Sequence, residues 1–458
     1  MKELKFKRVA STIIYSKNLE LASMKEINGP KLLVMGLGFQ APVPKVLYTG
    51  GLDVVVTNLY PHIPHHSTIF VRATEGTRTI SFDYKKNVHV NAVPIERQRG
   101  PDERMFRVAE HSQDLLDSLD FVSTVIYERI LPTLCLMNKK EIILHCHDWL
   151  TAKAIPLLKA HSDIPAVFSV HMSVPRPPAD YLEILKVAEE YGLSPDLRSR
   201  IHAIDRRLLL EAQGCHEADV VHCVSSSTAE SVVKAYDIPS KKVKVIHNGV
   251  DTSAYSPPTA KDQKEIERVL QRYGITKPFI LSTGRFVWEK NHKNLLEAFK
   301  LFHKSHPEYS LAIMGFGGYT YDELVKIREG MQEKMKKKVV IHNQDIRPDV
   351  AALYKASDIC CFPSLEEAFG MVAVEAMACG KPVVLGDVGG MREVIKDSVN
   401  GSVGLRVDAR TPEVLAAGLE KAAASRDSWG KKARNYVVRN FSWDKIAQEY
   451  VKIYEKLV

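Results

Sequence analysis

No stretch of this chain is long and apolar enough to cross a bilayer. Spanning takes about 20 consecutive apolar residues, and every hydrophobic run here is broken by charge before that length. The N-terminal MKELKFKRVASTIIYSKNLELASMKE is basic at its start, but Lys17, Glu20 and Lys25 interrupt the apolar core that a secretory signal needs. The expectation is a soluble, cytoplasmic chain. Cysteine is sparse: seven, at Cys135, Cys146, Cys215, Cys223, Cys360, Cys361 and Cys379, odd in number and without disulfide or zinc-ribbon spacing. That usage suits a reducing compartment. Cys215-His216 with His222-Cys223 comes nearest to a metal motif and reads as buried thiols and imidazoles beside a strand. His62, His65 and His66 read as a polar turn. No metal or other cofactor is expected.

A strong excess of one charge is also missing. Lys and Arg number 63 against 55 Asp and Glu, a net of +8. The basic residues are spread out, as in Arg97, Arg99, Arg104 and Arg107 or from Lys334 to Lys338. With no aromatic-interleaved basic motif, nucleic acid is not expected as a partner. The balance suits an anionic small molecule, an acidic acceptor or contact with a membrane surface. Low-complexity tracts are absent, and 458 residues are too many for one ordinary core and comfortable for two.

What the chain has is alternation. Short runs rich in Val, Ile and Leu are separated by longer amphipathic stretches, the pattern of parallel strands joined by crossover helices. Strand candidates are Lys31–Met35, Ile142–His145, Ala166–Val170, Val220–Val224 and Val243–Ile246, then Phe279–Ser282, Leu311–Met314, Val339–Ile341, Ile359–Phe362 and Val383–Leu385. Leu295, Ala298, Phe299 and Phe302 share one helical face between strands. Two such series predict an α/β chain of two doubly wound lobes, each opening with a strand and a glycine-bearing loop, KLLVMGLGF and PFILSTGRF. The expected division is an unassigned extension over 1–30, a first lobe over 31–252, a Pro- and Ser-bearing linker over 253–274, a second lobe over 275–436 and a terminal amphipathic helix over 437–458.

The segment Ser364–Gly380, SLEEAFGMVAVEAMACG, follows the strand DICCF and turns into a helix near Phe369–Gly370. In an open parallel sheet, ligands sit beyond the carboxyl ends of the strands. A helix N-terminus there offers free N–H groups and a positive dipole end to a phosphate, and Gly370 allows close backbone approach. Glu367 precedes the helix and Glu375 lies two turns along it. Carboxylates accept hydrogen bonds from vicinal hydroxyls, but such pairs are common, and by itself this one reads rather as a helix-end carboxylate and an ordinary surface glutamate.

Glu367, Phe369 and Gly370, with Glu375 in EAMACG, closely resemble the signature of retaining GT-B glycosyltransferases, the group that includes glycogen and starch synthases. The resemblance implies two Rossmann-like lobes facing a cleft, with the terminal helix crossing back to the first lobe. It implies that Glu367 meets hydroxyls of a donor sugar, Glu375 the ribose of its nucleotide, and the backbone of Phe369, Gly370 and Met371 the sugar and phosphate. Gly284-Arg285 and Glu289-Lys290-Asn291 follow the first strand of the second lobe. Two fixed cations there would stabilise a departing diphosphate, with Arg285 contacting it bidentately, and the family carries a like pair.

On the first lobe, Tyr48-Thr49-Gly50-Gly51-Leu52 is similar to the Lys-x-Gly-Gly-Leu motif of bacterial glycogen and starch synthases, with Tyr48 in place of the lysine. Gly50 and Gly51 would wrap the pyrophosphate. The β-branched run Val54-Val55-Val56 leaves a tight turn into a strand as an equal reading. His145-Cys146-His147-Asp148-Trp149 resembles the family's acceptor-side stretch, and His171, at the end of Phe168-Ser169-Val170, its strand-end histidine. Asp148 and His171 are the first-lobe candidates for catalysis; His147 reads equally well as structural. Ser225-Ser226-Ser227, His247 to Asp251, and Gly389-Gly390 with Glu393 resemble further family loops.

The resemblance covers the chain from about residue 31 onward. It implies metal-free transfer of a sugar, glucose by the glycogen-synthase-like features, from a nucleotide diphosphate to an α-1,4-glucan. A lipid-linked or small-molecule acceptor is the alternative, with residues 97–130 as a docking segment. Nucleotide-sugar epimerases share the architecture and stand as the reading from another class.

Overall fold

The two series of apolar runs form two separate sheets. The computed structural model describes residues 33–38, 51–72, 80–85, 87–93, 121–134, 141–172 and 208–458. The first sheet holds β1 (Leu33–Gly38), β2 (His66–Arg72), β3 (Ile80–Lys85), β4 (Val88–Val93), β5 (Ile142–His147), β6 (Ala166–Val170), β7 (Val220–Cys223) and β8 (Val243–Val245), in the order β3-β4-β2-β1-β5-β6-β7-β8. Its strands run parallel except β3, which is antiparallel to β4 at the edge. The second holds β9 (Phe279–Thr283), β10 (Ser310–Gly315), β11 (Val339–Asn343), β12 (Ile359–Phe362), β13 (Val383–Gly386) and β14 (Leu405–Val407), ordered β11-β10-β9-β12-β13-β14 and wholly parallel.

That second order is the doubly wound 3-2-1-4-5-6 arrangement, which reverses direction between its first and fourth strands. Here the reversal falls between β9 and β12. In the first sheet it falls between β1 and β5. Loops leaving these strands are where such sheets bind ligands, so topology alone directs attention to the segments after Thr283, Phe362 and His147.

Helices used below are α1 (Gly51–Leu59), α2 (Ser226–Tyr236), α3 (His292–Phe302), α4 (Met371–Ala378), α5 (Met391–Val394), α6 (Arg426–Phe441) and α7 (Trp443–Leu457). The β-branched run in α1 is helical despite its propensity, which resolves the alternative of a turn into a strand. Val55, Val56 and Leu59 are buried with Val34, Ile69 and Ile143, and tertiary burial outweighs a few tenths of a kcal/mol per residue of propensity. Of the span 97–130 considered as a docking segment, Phe121, Val122, Val125, Ile126 and Ile130 lie in the first-lobe core. Residues 97–120 are outside the described residues, as are the extension 1–30, the linking loop with Tyr48 and Gly50, and the stretch following Met172.

The last helix returns to the first lobe. α6 packs on the second lobe, then Val250 N donates to Phe441 O (2.8 Å) at a short bridge between Val250 and Ser442. From there α7 buries Trp443, Ile446, Ala447, Tyr450 and Tyr454 in the same cluster as Val34, Val55 and Val167. Each large apolar side chain so buried is worth roughly 1.5–3 kcal/mol.

Candidate active site

Two loops at the β9/β12 switch point are fastened to each other. Leu365 N donates to Glu289 O (2.8 Å). Asn291, in a left-handed conformation (φ 55°), donates its side-chain amide to Pro363 O (3.1 Å) and Ala409 O (2.7 Å). Asn291 is therefore a structural clamp, and what it positions is its neighbour. Lys290 Nζ meets Glu367 Oε2 at 2.5 Å, with both side chains mostly buried. Arg285 is exposed nearby and makes no side-chain hydrogen bond among the described residues. These cations and Glu367 stand together at the carboxyl ends of the strands.

Beyond Glu367 the chain passes Phe369, whose ring is buried and stacks on His247 with centroids 5.5 Å apart. Only the backbone of Phe369 is left for a ligand. Gly370 has φ 109°, and a Cβ there would lie 2.5 Å from Met391 Sδ, so the residue must be glycine. α4 starts at Met371; Ala373 N donates to Gly370 O (3.0 Å), while the amides of Met371 and Val372 have no intrahelical acceptor and carry the positive end of the dipole. Glu375, a turn further, is buried. Burial pushes its carboxyl up to about 8, against the opposing effect of hydroxyl hydrogen bonds from Tyr354 and Tyr255. At neutral pH it therefore holds a proton and can both donate to and accept from a diol. Tyr354 is held in turn by Thr283 (2.7 Å).

On the first lobe the strand ends carry a chain of imidazoles. His222 Nε2 faces the Ile246 carbonyl (2.8 Å), which can only accept. Neutral His222 must therefore accept at Nδ1 from Ser169 Oγ (2.7 Å), Ser169 accepts from His145 Nε2 (2.7 Å), and His145 Nδ1 accepts from Tyr454 (2.6 Å). Burial holds these imidazoles neutral: it lowers His222 to about 4 and, with neighbouring imidazoles adding to it, His145, His147 and His171 well below the usual range.

A second chain reaches the cleft. Tyr60 Oη lies 2.6 Å from His147 Nε2, and His147 Nδ1 lies 3.0 Å from His171 Nε2. His171 Nδ1 is buried and has no partner among the described residues. If Tyr60 donates, His147 donates onward and only His171 Nδ1–H is unsatisfied. The reverse direction orphans the buried Tyr60 hydroxyl proton as well, an added cost of about 1–3 kcal/mol. His171 consequently presents an N–H donor. Of the first-lobe candidates His171 and Asp148, His171 is hydrogen-bonded to His147. Asp148, buried and with φ 65°, accepts from Trp149 N (2.8 Å) and caps the turn Trp149–Thr151. Gly51 opens α1, and Gly50 lies outside the described residues.

Several members of this site were missed. Tyr60, Tyr255 and Tyr354 come from helices and loops far apart in sequence, and no local spacing links them to His147 or Glu375. His145 and His222 carried a signal, since each sits at a polar position within an otherwise apolar strand.

Residues 263–438 match the family described as glycosyl transferases group 1, and residues 49–254 match glycosyltransferase family 4. An uncharacterized glycosyltransferase of Methanocaldococcus jannaschii is 30% identical over 325 residues, covering 69% of this chain and 75% of that protein. A D-inositol 3-phosphate glycosyltransferase of Xylanimonas cellulosilytica is 26% identical over 419 residues, 88% of this chain and 91% of its own. In architecture the chain is similar to the sucrose-phosphate synthase of Thermosynechococcus elongatus, with a TM-score of 0.68 at 20% identity over 93% of this chain and 99% of that one. Sheet orders, crossover helix and family matches agree: the chain belongs to the group 1 glycosyl transferases and is a glycosyltransferase of the GT-B fold.

Proposed function

We propose that the protein transfers a hexose, with retention of anomeric configuration, from a nucleoside diphosphate sugar to a hydroxyl of a small phosphorylated polyol or sugar. The observation that carries the donor half is the Lys290–Glu367 pair at the β9/β12 switch point, immediately before the α4 N-terminus. In this reading the bond from C1 to the diphosphate oxygen breaks, the acceptor oxygen bonds to C1 on the same face, and the acceptor's proton passes to the departing diphosphate. Arg285, Lys290 and the first-turn amides of α4 stabilise the charge that develops on that leaving group. Glu367 and the N–H of His171 hold sugar hydroxyls, and Glu375 holds the ribose. The chain supplies its own cations to the diphosphate, so no metal is required.

A small acceptor is favoured by the inositol-phosphate relative, which spans nearly the whole chain. The glucan reading keeps one support, the glycogen-synthase-like His145 to Trp149 stretch with His171. Thermal shift with ADP-, UDP- and GDP-sugars identifies the donor. That donor is then offered alone, with inositol phosphates and sugar phosphates, and with glycogen or maltooligosaccharides. Transfer to the phosphorylated acceptors is expected. Incorporation only into glucan overturns the small-acceptor assignment, and an isomerised donor formed without acceptor overturns the transferase mechanism.

A further inference from the structure

One carboxylate bridges the two lobes. Glu393 belongs to the second lobe, on α5, yet its partners lie on the first. Its Oε1 accepts from Ser226 N (2.7 Å), and its Oε2 accepts from Ser226 Oγ (3.1 Å) and His247 Nε2 (2.8 Å). Ser226 is the first residue of α2. The helix caps itself with Ser225 Oγ, which accepts from Thr228 N (3.1 Å). Its first amide is left over, and the other lobe satisfies it at the positive end of the dipole. Burial opposes ionisation of Glu393, but the His247 and Ser226 hydrogen bonds outweigh it and hold the carboxyl below its usual value.

The loop that delivers Glu393 also holds the donor segment. Gly390 N donates to Glu367 O (2.9 Å). A Cβ on Gly389 would lie 2.1 Å from Glu367 O, and one on Gly390 would lie 2.4 Å from Ala368 O and from Phe369 Cα. The contact is backbone on backbone, without slack. Met391 then packs against Gly370. Every residue from Glu367 to Gly370 is thus touched by residues 389–391, two positions ahead of the carboxylate that grips the first lobe. The first-lobe partners reach the same segment, since the His247 ring stacks on Phe369.

We propose that Glu393 is a positioning residue that makes lobe closure and the seating of the donor-sugar loop one event. With the lobes shut, its carboxylate fastens α2 and His247, and the 389–391 loop presses Glu367 and the Gly370 backbone into place. With the lobes apart, the same loop loses its anchor. This rests on the donor-site reading above. Its consequence is kinetic: without Glu393 the closed site forms less often, the donor binds more weakly, and water gains access to C1.

Glu393→Ala removes the carboxylate. Ser226→Pro removes the amide donor and hydroxyl, at a first helical position where proline is tolerated and after a residue already extended (Ser225 φ −156°, ψ 162°) as proline requires. Each variant and the double variant are assayed for donor KM, kcat and the ratio of donor hydrolysis to transfer, and by small-angle scattering with and without the preferred nucleoside diphosphate. In both single variants we expect donor KM to rise about tenfold, kcat to change less, hydrolysis to gain on transfer, and nucleotide-induced contraction to shrink. The double variant should be no worse than either single one. Unchanged donor KM and contraction in both, or losses that multiply in the double variant, overturn the proposal. Contraction needs no acceptor, so a wild-type protein that closes on nucleotide but transfers to nothing sinks the functional reading alone.

Discussion

Tyr60 and His171 lie on opposite sides of His147 and share it: the phenol donates to Nε2 at 2.6 Å, and Nδ1 passes a hydrogen bond on to His171 Nε2 at 3.0 Å. A residue wholly out of reach of ligand thereby sets which face of the His171 imidazole carries a proton.

Tyr60→Phe should release that tautomer. With the donor gone, His147 Nε2 is unsatisfied and the neutral rings are free to shift their protons. We expect kcat/KM to fall about tenfold with little change in melting temperature. Nitrogen chemical shifts of labelled histidine report the result, and an unaltered Nδ1–H form of His171 would count against the relay.

Lys290→Ala and Glu367→Ala should each sharply reduce transfer while the fold persists. Lys290→Ala removes one preorganised charge from the leaving-group site, a loss on the order of 10²–10³ in kcat, and Glu367→Ala removes the carboxylate that holds the donor-sugar hydroxyls. Circular dichroism checks the fold and product formation checks the chemistry. Wild-type turnover in either variant rules out this donor site.

Glu375 gives a pH signature. Its carboxyl is raised in the folded protein to about 8 from 4.5, so the folded state binds more protons between those values. The associated stabilisation is complete below the lower value and is lost as pH rises through about 8, by at most about 1.4 kcal/mol per pH unit. Glu375→Gln should flatten the fall in melting temperature between about pH 4.5 and pH 8, measured by calorimetry. Parallel curves for the two proteins would refute the assignment.

Gly249→Ala should unseat the terminal helix. A Cβ at that position would lie 2.4 Å from Trp443 Cδ2, and Trp443 is fully buried. Overpacking of this kind costs about 1–3 kcal/mol, to be read from denaturant midpoints.

Under the proposed mechanism turnover should be indifferent to EDTA, because Arg285 and Lys290 would neutralise the diphosphate in place of a divalent ion. Loss of activity on chelation, restored by magnesium or manganese, would contradict this.

The second lobe was more legible than the first. Its inner strands β9, β10, β12 and β13 are short, mostly apolar runs buried in a parallel sheet, so the pattern needs no partner to be seen, whereas the edge strand β14, LRV, is only partly buried and went unrecognised. β2 and the β3–β4 hairpin escaped notice because HSTIFVR opens on polar residues and ISFDYK and VHVNAV mix charge or amide into the run. Lys290, Glu367, Gly370 and Glu375 were visible because they sit in two local segments. Tyr60, Tyr354 and Tyr454 were not, since their partners are 87, 71 and 309 residues away. Propensity misled at α1, where valines chosen for burial make a helix.

The placement of α7 has a consequence for how the molecule comes into being. Trp443, Ile446, Tyr450 and Tyr454 complete a core whose other walls are Val34, Val55 and Val167. During synthesis the first lobe emerges early but lacks that wall, while the second lobe emerges with all its strands in hand. The half translated last should therefore be the first to reach its native state. The half translated first must wait, exposing apolar surface to chaperones, until residues 443–457 arrive.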